Sequence, residues 1–298
     1  VRLQEEFGDQ LQRHPLRREI IATQLTNQLV DRMGLAFMHG VVEETGADRD
    51  EAIQAILLTY EILDLQSFSD RIFALDGVVK VEDQYDAMNS VSAAARGVVE
   101  WLLLSNADIQ HFARTLERYQ EPLREIGGEI GNYLPPETER QRYLEQTSKL
   151  LARGFPEALS TELASLDYLP SCMGVVDIHR LAGTELGEAA RHFYRLGDVL
   201  QLGWLRDALS TIDSEDQWDV VASAGLISDL RHLQREITLV YLGAGCPPMG
   251  RFLGQGEPVV GQIRDGIQRM QQQEEIRISA GSFVTRLLFQ LLDRLKRA

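Results

Sequence analysis

The sequence predicts an all-α fold: a multi-helix, bundle-like domain that closes with a C-terminal helical hairpin. Three observations predict it. Apolar residues recur three and four positions apart in almost every segment, which places them on one face of a helix. Alternating apolar and polar runs of strand length are missing, and no series of βαβ units is visible. Glycines and prolines gather between the periodic segments, where helices stop and start. The pattern predicts roughly ten to fourteen helices of ordinary length.

Leu16 to Gly46 reads as the central element. Ile21, Leu25, Leu29 and Met33 form one apolar stripe, and Leu16, Ile20 and Val30 lie on the other side of the wheel, so this helix needs neighbours on two faces. Pro15 suits the first helical position. Gly34 marks a kink and Gly46 a left-handed stop. Arg17 and Arg18 stand in the first turn, where the helix dipole disfavours cations, so an acidic partner or solvent receives them. The spacing assigns no contact to Asn27.

Asp48 caps a second helix that runs through Asp64, with Ile53, Ile56, Leu57, Tyr60 and Leu63 as its stripe. A short helix over Phe68–Leu75 follows, stopped by Asp76-Gly77. Glu82–Ser105 is helical, with Ala93, Ala94 and Ala95 for close contact and Trp101 as a space filler. Asp108 caps the next helix, which carries Ile109, Phe112, Leu116 and Tyr119 and is broken by Gly127, Gly128, Gly131 and Pro135-Pro136. Pro136 and Glu137 open another, ending near Gly154, and Pro156 starts one more.

Leu166–Gly174 reads as a connector with some helical character, and Val175–Leu181 has the apolar content of one strand. Helical spacing returns at Leu186, Ala189, Ala190, Phe193 and Leu196, then at Trp204, Leu205 and Leu209. Ser214 or Asp216 caps a long helix to about Leu242, striped by Ala222, Leu226, Leu230, Leu233 and Ile237. The glycine- and proline-rich stretch 243–258 is the clearest break. Two helices follow, one with Val259, Ile263, Ile267 and Met270, the other with Phe283, Val284, Leu287, Leu288, Leu291, Leu292 and Leu295. The expected division is therefore a main helical domain over 1–242, a connector over 243–258, and a hairpin over 259–298. That hairpin packs on the main body, because two helices alone are barely stable.

Composition narrows the function. Of 298 residues, 44% are hydrophobic and 25% charged, as in a soluble globular protein. Thirty basic against 45 acidic residues leave a net charge of −15, which repels nucleic-acid phosphate and anionic lipid. No apolar run approaches membrane-span length. Two cysteines, Cys172 and Cys246, make no disulfide framework, which points to a reducing, cytoplasmic compartment. The first residue is Val1 rather than Met, as expected of an excised or processed piece.

Several stretches carry a resemblance. LRREIIATQLTNQLVDRMG from Leu16, followed by EETGA, resembles the C-terminal region of the large bacterial NAD-specific glutamate dehydrogenases. Ala74-Leu75-Asp76, Trp101-Leu102-Leu103, Thr184–Leu209 and Asp216–Thr238 resemble later motifs of the same region, so the likeness runs from about Leu16 to about Leu242. It implies an all-helical tail behind a dehydrogenase core, and makes Val175–Leu181 helix. It further implies a parent that oxidises L-glutamate to 2-oxoglutarate and ammonia with NAD. The region itself is expected to be non-catalytic, with a structural, oligomerisation or regulatory role. Its implied partners are the upstream core of the same chain and further copies of the parent.

The residues offer little chemistry of their own. The glycine turn Gly243-Ala244-Gly245 follows a helix, not a strand, with Pro247-Pro248 where a helix should start, so it does not read as a nucleotide turn. None of the three lysines, Lys80, Lys149 and Lys296, sits in a glycine-rich catalytic context. The six histidines show no HExxH. Glu188 with His192, and His39 with Glu43, are carboxylate–imidazole pairs four apart that read as surface pairs. Asp213, Glu215, Asp216 and Asp219 read as a helix cap, not a calcium loop. Both cysteines read as structural, with no histidine nearby in sequence to make a thiolate. No catalytic, cofactor-binding or metal-binding residue is assigned. The competing readings are a free-standing helical protein that binds a partner peptide or helix, and a small helical enzyme with a metal at Glu188 and His192.

Overall fold

The computed structural model describes residues 34–105, 107–212, 216–254, 258–273 and 276–297, together with Pro15, Leu16 and Thr23. The expected helix from Leu16 to Met33, including Arg17, Arg18 and Asn27, otherwise lies outside the described residues. Among those described, the elements are fourteen α-helices and two 3-10 turns, with no strand.

Helix α1 (Leu35–Thr45) starts after Gly34 and ends on Gly46 at φ 66, the left-handed stop the sequence predicts. Helix α2 (Arg49–Ile62) is capped by the Asp48 carboxylate, which accepts from the Asp50 N–H at 3.2 Å. Its buried face is Ala52, Ala55, Ile56, Leu58, Thr59 and Ile62. The expected stripe is thus rotated: Ile53, Leu57 and Tyr60 are only half-buried. Two alanines let α2 lie close to its neighbours, and that close approach decides which face turns inward.

Helix α3 (Leu65–Phe73) leads through a turn into α4 (Val81–Leu104), the central rod of the N-terminal half. Ala94 and Ala95 of α4 are buried, but Ala93 is exposed. Helix α5 (Phe112–Gly128) has His111, not Asp108, at its N-cap. The Asp108 side chain is drawn instead to His111 Nδ1 at 2.7 Å, and its carbonyl accepts the Thr115 hydroxyl. Gly127 and Gly128 stay within α5, and the break comes at the 3-10 turn Ile130–Asn132. Helix α6 (Glu139–Ala152) begins three residues past Pro136, after Thr138. Helix α7 (Glu157–Ser165) follows Pro156 as expected.

The predicted connector at Leu166–Gly174 is a 3-10 turn (Leu166–Tyr168) that runs directly into α8 (Leu169–Ala182). Pro170 sits in the first turn of α8, where its missing N–H costs nothing, so it starts the helix. Val175–Leu181 is helix, not strand. Helices α9 (Leu186–Val199) and α10 (Leu202–Ser210) lead to α11 (Gln217–Gly243), 27 residues long and capped by Asp216, which accepts from the Trp218 N–H at 2.9 Å. Ala222, placed in its apolar stripe by spacing, is exposed. A single turn, α12 (Met249–Phe252), sits in the glycine- and proline-rich stretch. Helices α13 (Pro258–Gln271) and α14 (Ile278–Leu295) form the hairpin, with Phe283 exposed.

Buried side chains divide into two cores. One runs from Phe37 to Tyr194 and is built on α2, α4, α5 and α8. The other runs from Leu196 to Leu292, where α11 packs against α10 and α14, and α14 against α13. Helix α11 also packs along α8 and α9, so it joins the two.

Candidate functional site

The seam between the two cores is charged. It arises because α11 carries a polar ridge, Arg231, His232, Gln234 and Arg235, beside its apolar face of Leu230, Leu233 and Ile237. Facing helices bring acids to meet it. Asp177 interrupts the apolar run Val175-Val176-Asp177-Ile178 of α8, and Glu100 interrupts Val98-Val99-Glu100-Trp101-Leu102 of α4. Both are almost fully buried.

Asp177 is the first hub. Its Oδ1 accepts the Tyr119 hydroxyl at 2.8 Å and pairs with the Arg118 guanidinium, and its Oδ2 accepts from Arg235 Nη1 at 3.4 Å. A carboxylate this deep is tolerable only with such partners. Burial, with Asp177 beside it, pushes the Tyr119 phenol well above its usual range, so the phenol stays a donor. The Arg235 guanidinium lies 5.5 Å over the Trp101 ring, and Trp101 stacks on His232 at 4.3 Å and 8°. The His232 Nδ1 faces the Ser228 carbonyl at 2.9 Å, an oxygen that only accepts, so Nδ1 carries the proton. Burial lowers the His232 pKa and keeps the ring neutral.

Glu100 and Arg231 form the second pair, 3.6 Å apart. Burial raises the Glu100 carboxyl to about 7, against the opposing pull of Arg231. Burial also holds the Arg231 guanidinium down, to about 10, still protonated at neutral pH.

The third group opens onto a cavity of about 350 Å³ between α4, α6, α8, α10 and α11, lined among others by Ala93, Glu139, Arg142, Asp167, Ser171, Arg206, Asp207 and Arg231. Arg206 donates to Gln234 Oε1 at 2.6 Å and stands 3.8 Å from Glu139. The Gln234 amide donates to the Phe193 carbonyl at 2.8 Å. Arg142 pairs with Asp207 at the edge. Glu139 reaches Arg206 because Gly203 has no side chain: a Cβ there would come within 2.0 Å of Glu139 Oε1. Burial raises the carboxyls of Glu139 and Asp167, opposed at Glu139 by Arg206 and Arg142 and at Asp167 by Arg142. The cavity therefore offers fixed charges of both signs. Its lining side chains include no lysine and no thiol, and Lys80, Lys149 and Lys296 are all exposed elsewhere.

The residues weighed from sequence fall outside this seam. Glu188 accepts the Thr184 hydroxyl at 3.1 Å, and His39 meets Glu43 at 3.6 Å on the surface. Among the described residues, no group of three or more His, Cys, Asp or Glu is placed to hold a metal ion. Asp213 and Glu215 lie outside the described residues, while Asp216 is the helix cap. Gly243-Ala244-Gly245 ends α11. Cys172 is buried, its thiol pushed up to about 12 by burial. Cys246 is not isolated: its Sγ lies 3.9 Å from His192 Nε2, brought in from α9 by the chain reversal after α11. Sequence reading missed this pair because 54 residues separate its members. It also missed the charged seam, although an acid inside an apolar helical run, as at Glu100 and Asp177, is a signal for one.

The comparisons with known proteins agree with one another. The family described as "Glutamate dehydrogenase, C-terminal" matches residues 1–289. An NAD-specific glutamate dehydrogenase of Halomonas elongata is 30% identical over 247 residues, covering 81% of this chain and 15% of the relative. Proteins of the same name from Pseudomonas aeruginosa and Mycobacterium tuberculosis are 26% and 24% identical over 268 and 248 residues, covering 88% and 82% of this chain. The chain spans about 15% of the length of these relatives. No helix among the described residues is long and apolar enough to cross a membrane. With the match running over nearly its whole length, the chain belongs to the glutamate dehydrogenase C-terminal family.

Proposed function

We propose that this chain is the helical C-terminal region of an NAD-specific glutamate dehydrogenase, in which it braces the polypeptide that carries the chemistry. The parent reaction is oxidation of L-glutamate to 2-oxoglutarate and ammonia, with NAD bound by the upstream core. The observation that carries this reading is the family match over residues 1–289, set beside relatives about 85% of whose length lies outside the alignment. The described residues build helices whose buried charges pair with one another, as in a scaffold. Cytoplasmic location and assembly of the parent into oligomers belong to the same proposal.

The surface suggests where bracing occurs. Phe73, Val78, Val81 and Tyr85 are each more than half exposed and fall together on the α3–α4 turn and the first turns of α4. Grouped apolar side chains of this size mark contact surfaces more often than bare ones. The test has two parts. The purified chain, given L-glutamate and NAD, is expected to form no NADH; turnover by the chain alone overturns the reading. In a full-length relative, glutamate at the positions of Val81 and Tyr85 is expected to loosen the helical region from the core, seen as earlier proteolytic release. An unchanged digestion pattern removes this surface as the contact.

A further inference from the structure

We propose that Cys246 and His192 form a reactive thiol–imidazole pair, at which a small-molecule disulfide adds to the chain as a mixed disulfide. The two residues come from separate elements: His192 stands on α9, and Cys246 follows the end of α11. The turn that places Cys246 is a Schellman stop. Gly245, at φ 76, donates its N–H to the Leu242 carbonyl at 2.9 Å, and the Cys246 N–H returns to the Tyr241 carbonyl at 3.2 Å. Those bonds fold the chain back over Tyr241, and Pro247-Pro248 restrict the backbone that follows. The Tyr241 ring in turn lies 5.4 Å from the His192 ring. The thiol is thereby held with Sγ 3.9 Å from His192 Nε2 while Cys246 stays exposed to solvent.

The chemistry follows from that contact. The thiolate, not the thiol, attacks a disulfide, and an unassisted thiol is only a few per cent thiolate at neutral pH. Burial lowers the His192 pKa, opposed by Glu188 and reinforced by Arg195 and Arg191, so the ring is neutral at neutral pH and can take a proton. With its own proton on Nδ1, the ring presents the Nε2 lone pair to Sγ. His192 accepts the thiol proton as Sγ attacks one sulfur of the disulfide. The Sγ–S bond forms as the S–S bond of the small molecule breaks, and the departing thiolate collects the proton from His192. Cys246 is oxidised, the departing sulfur is reduced, and no further oxidant enters. The separation of 3.9 Å is long for this transfer, as is common before the reactant binds. Cys172 does not compete, because it is fully buried with Sγ 3.3 Å from the Tyr194 hydroxyl. The pair uses no residue of the charged seam and does not depend on the dehydrogenase reading.

Timed reaction of the whole 298-residue chain with oxidised glutathione at neutral pH tests it, with each thiol followed by mass spectrometry of its own peptide. The first label is expected at Cys246. Its rate is expected to be about tenfold higher in the folded chain than in the same chain unfolded in urea, within the roughly thirtyfold that full conversion to thiolate allows. Cys246→Ser is expected to abolish labelling of the folded chain, and His192→Gln to remove the margin over the unfolded one. If His192→Gln fails to fold, the comparison of folded with unfolded native chain decides alone. Cys246 reacting no faster when folded, a margin that survives His192→Gln, or first labelling at Cys172 overturns the proposal.

Discussion

Glu100 shows how one buried acid imprints a pH dependence on the fold. It is 7% exposed, and burial raises its carboxyl from 4.5 to about 7. At pH below about 4.5, folded and unfolded chains both hold the proton, and Glu100 contributes no penalty. Between about 4.5 and about 7 the unfolded chain releases it while the folded chain keeps it, so stability falls as pH rises. Above about 7 the loss is complete, on the order of 3 kcal/mol. Glu100→Gln removes this titration. Relative to the native chain, the variant is expected to gain stability from about pH 5 to about pH 8, by up to that amount, as read by urea unfolding across the range. Parallel pH profiles for the two proteins defeat the assignment. Asp177, the other buried acid of the seam, has more partners: Arg118, Tyr119 and Arg235 all meet its oxygens.

At the level of helices, packing distance is set by small residues at crossings. Gly97 of α4 lies against Pro170 of α8: a Cβ there would meet the Pro170 ring at 2.7 and 2.8 Å. A proline ring at a helix start cannot swing aside, so the two helices must separate. Gly97→Ala is therefore expected to destabilise the chain by about 1–3 kcal/mol through overpacking, despite alanine's better helix propensity. Gly225, in α11, has open space around it and serves as the control. Gly225→Ala is expected to stabilise by up to about 1 kcal/mol, because only propensity acts there. Thermal unfolding of both variants decides. If the two shift the midpoint in the same direction, the crossing is looser than the geometry states.

The whole molecule depends on the hairpin being present. Val259, Ile263, Ile267 and Met270 of α13, with Val284, Leu288 and Leu291 of α14, share a core with Leu205 and Leu209 of α10 and Leu230, Leu233 and Ile237 of α11. Each such side chain contributes about 1.5–3 kcal/mol by leaving water. We propose that 259–298 is part of one folding unit with α10 and α11 rather than an appendage. A chain ending at residue 257 is expected to bind hydrophobic dye and to lose cooperative unfolding. A truncated chain that melts as sharply and as high as the native one refutes that unity.

The sequence by itself determined the helical class, most element positions and several caps. Each of these is local: the apolar spacing of Leu186 to Leu196, the carboxylates of Asp48 and Asp216 at their caps, and the stop at Gly46 depend on residues within a few positions. The same residues carried the family likeness, because motifs such as Trp101-Leu102-Leu103 are contiguous. Only the tertiary structure decided which face of α2 turns inward, that Pro170 starts a helix within the stretch read as a connector, and that Cys246 lies near His192. It also brought Glu100 to Arg231, Asp177 to Arg235 and Glu139 to Arg206, pairs 131, 58 and 67 positions apart. The physical reason is that spacing assigns a residue to a helix face, while burial and charge pairing depend on which other face arrives opposite it.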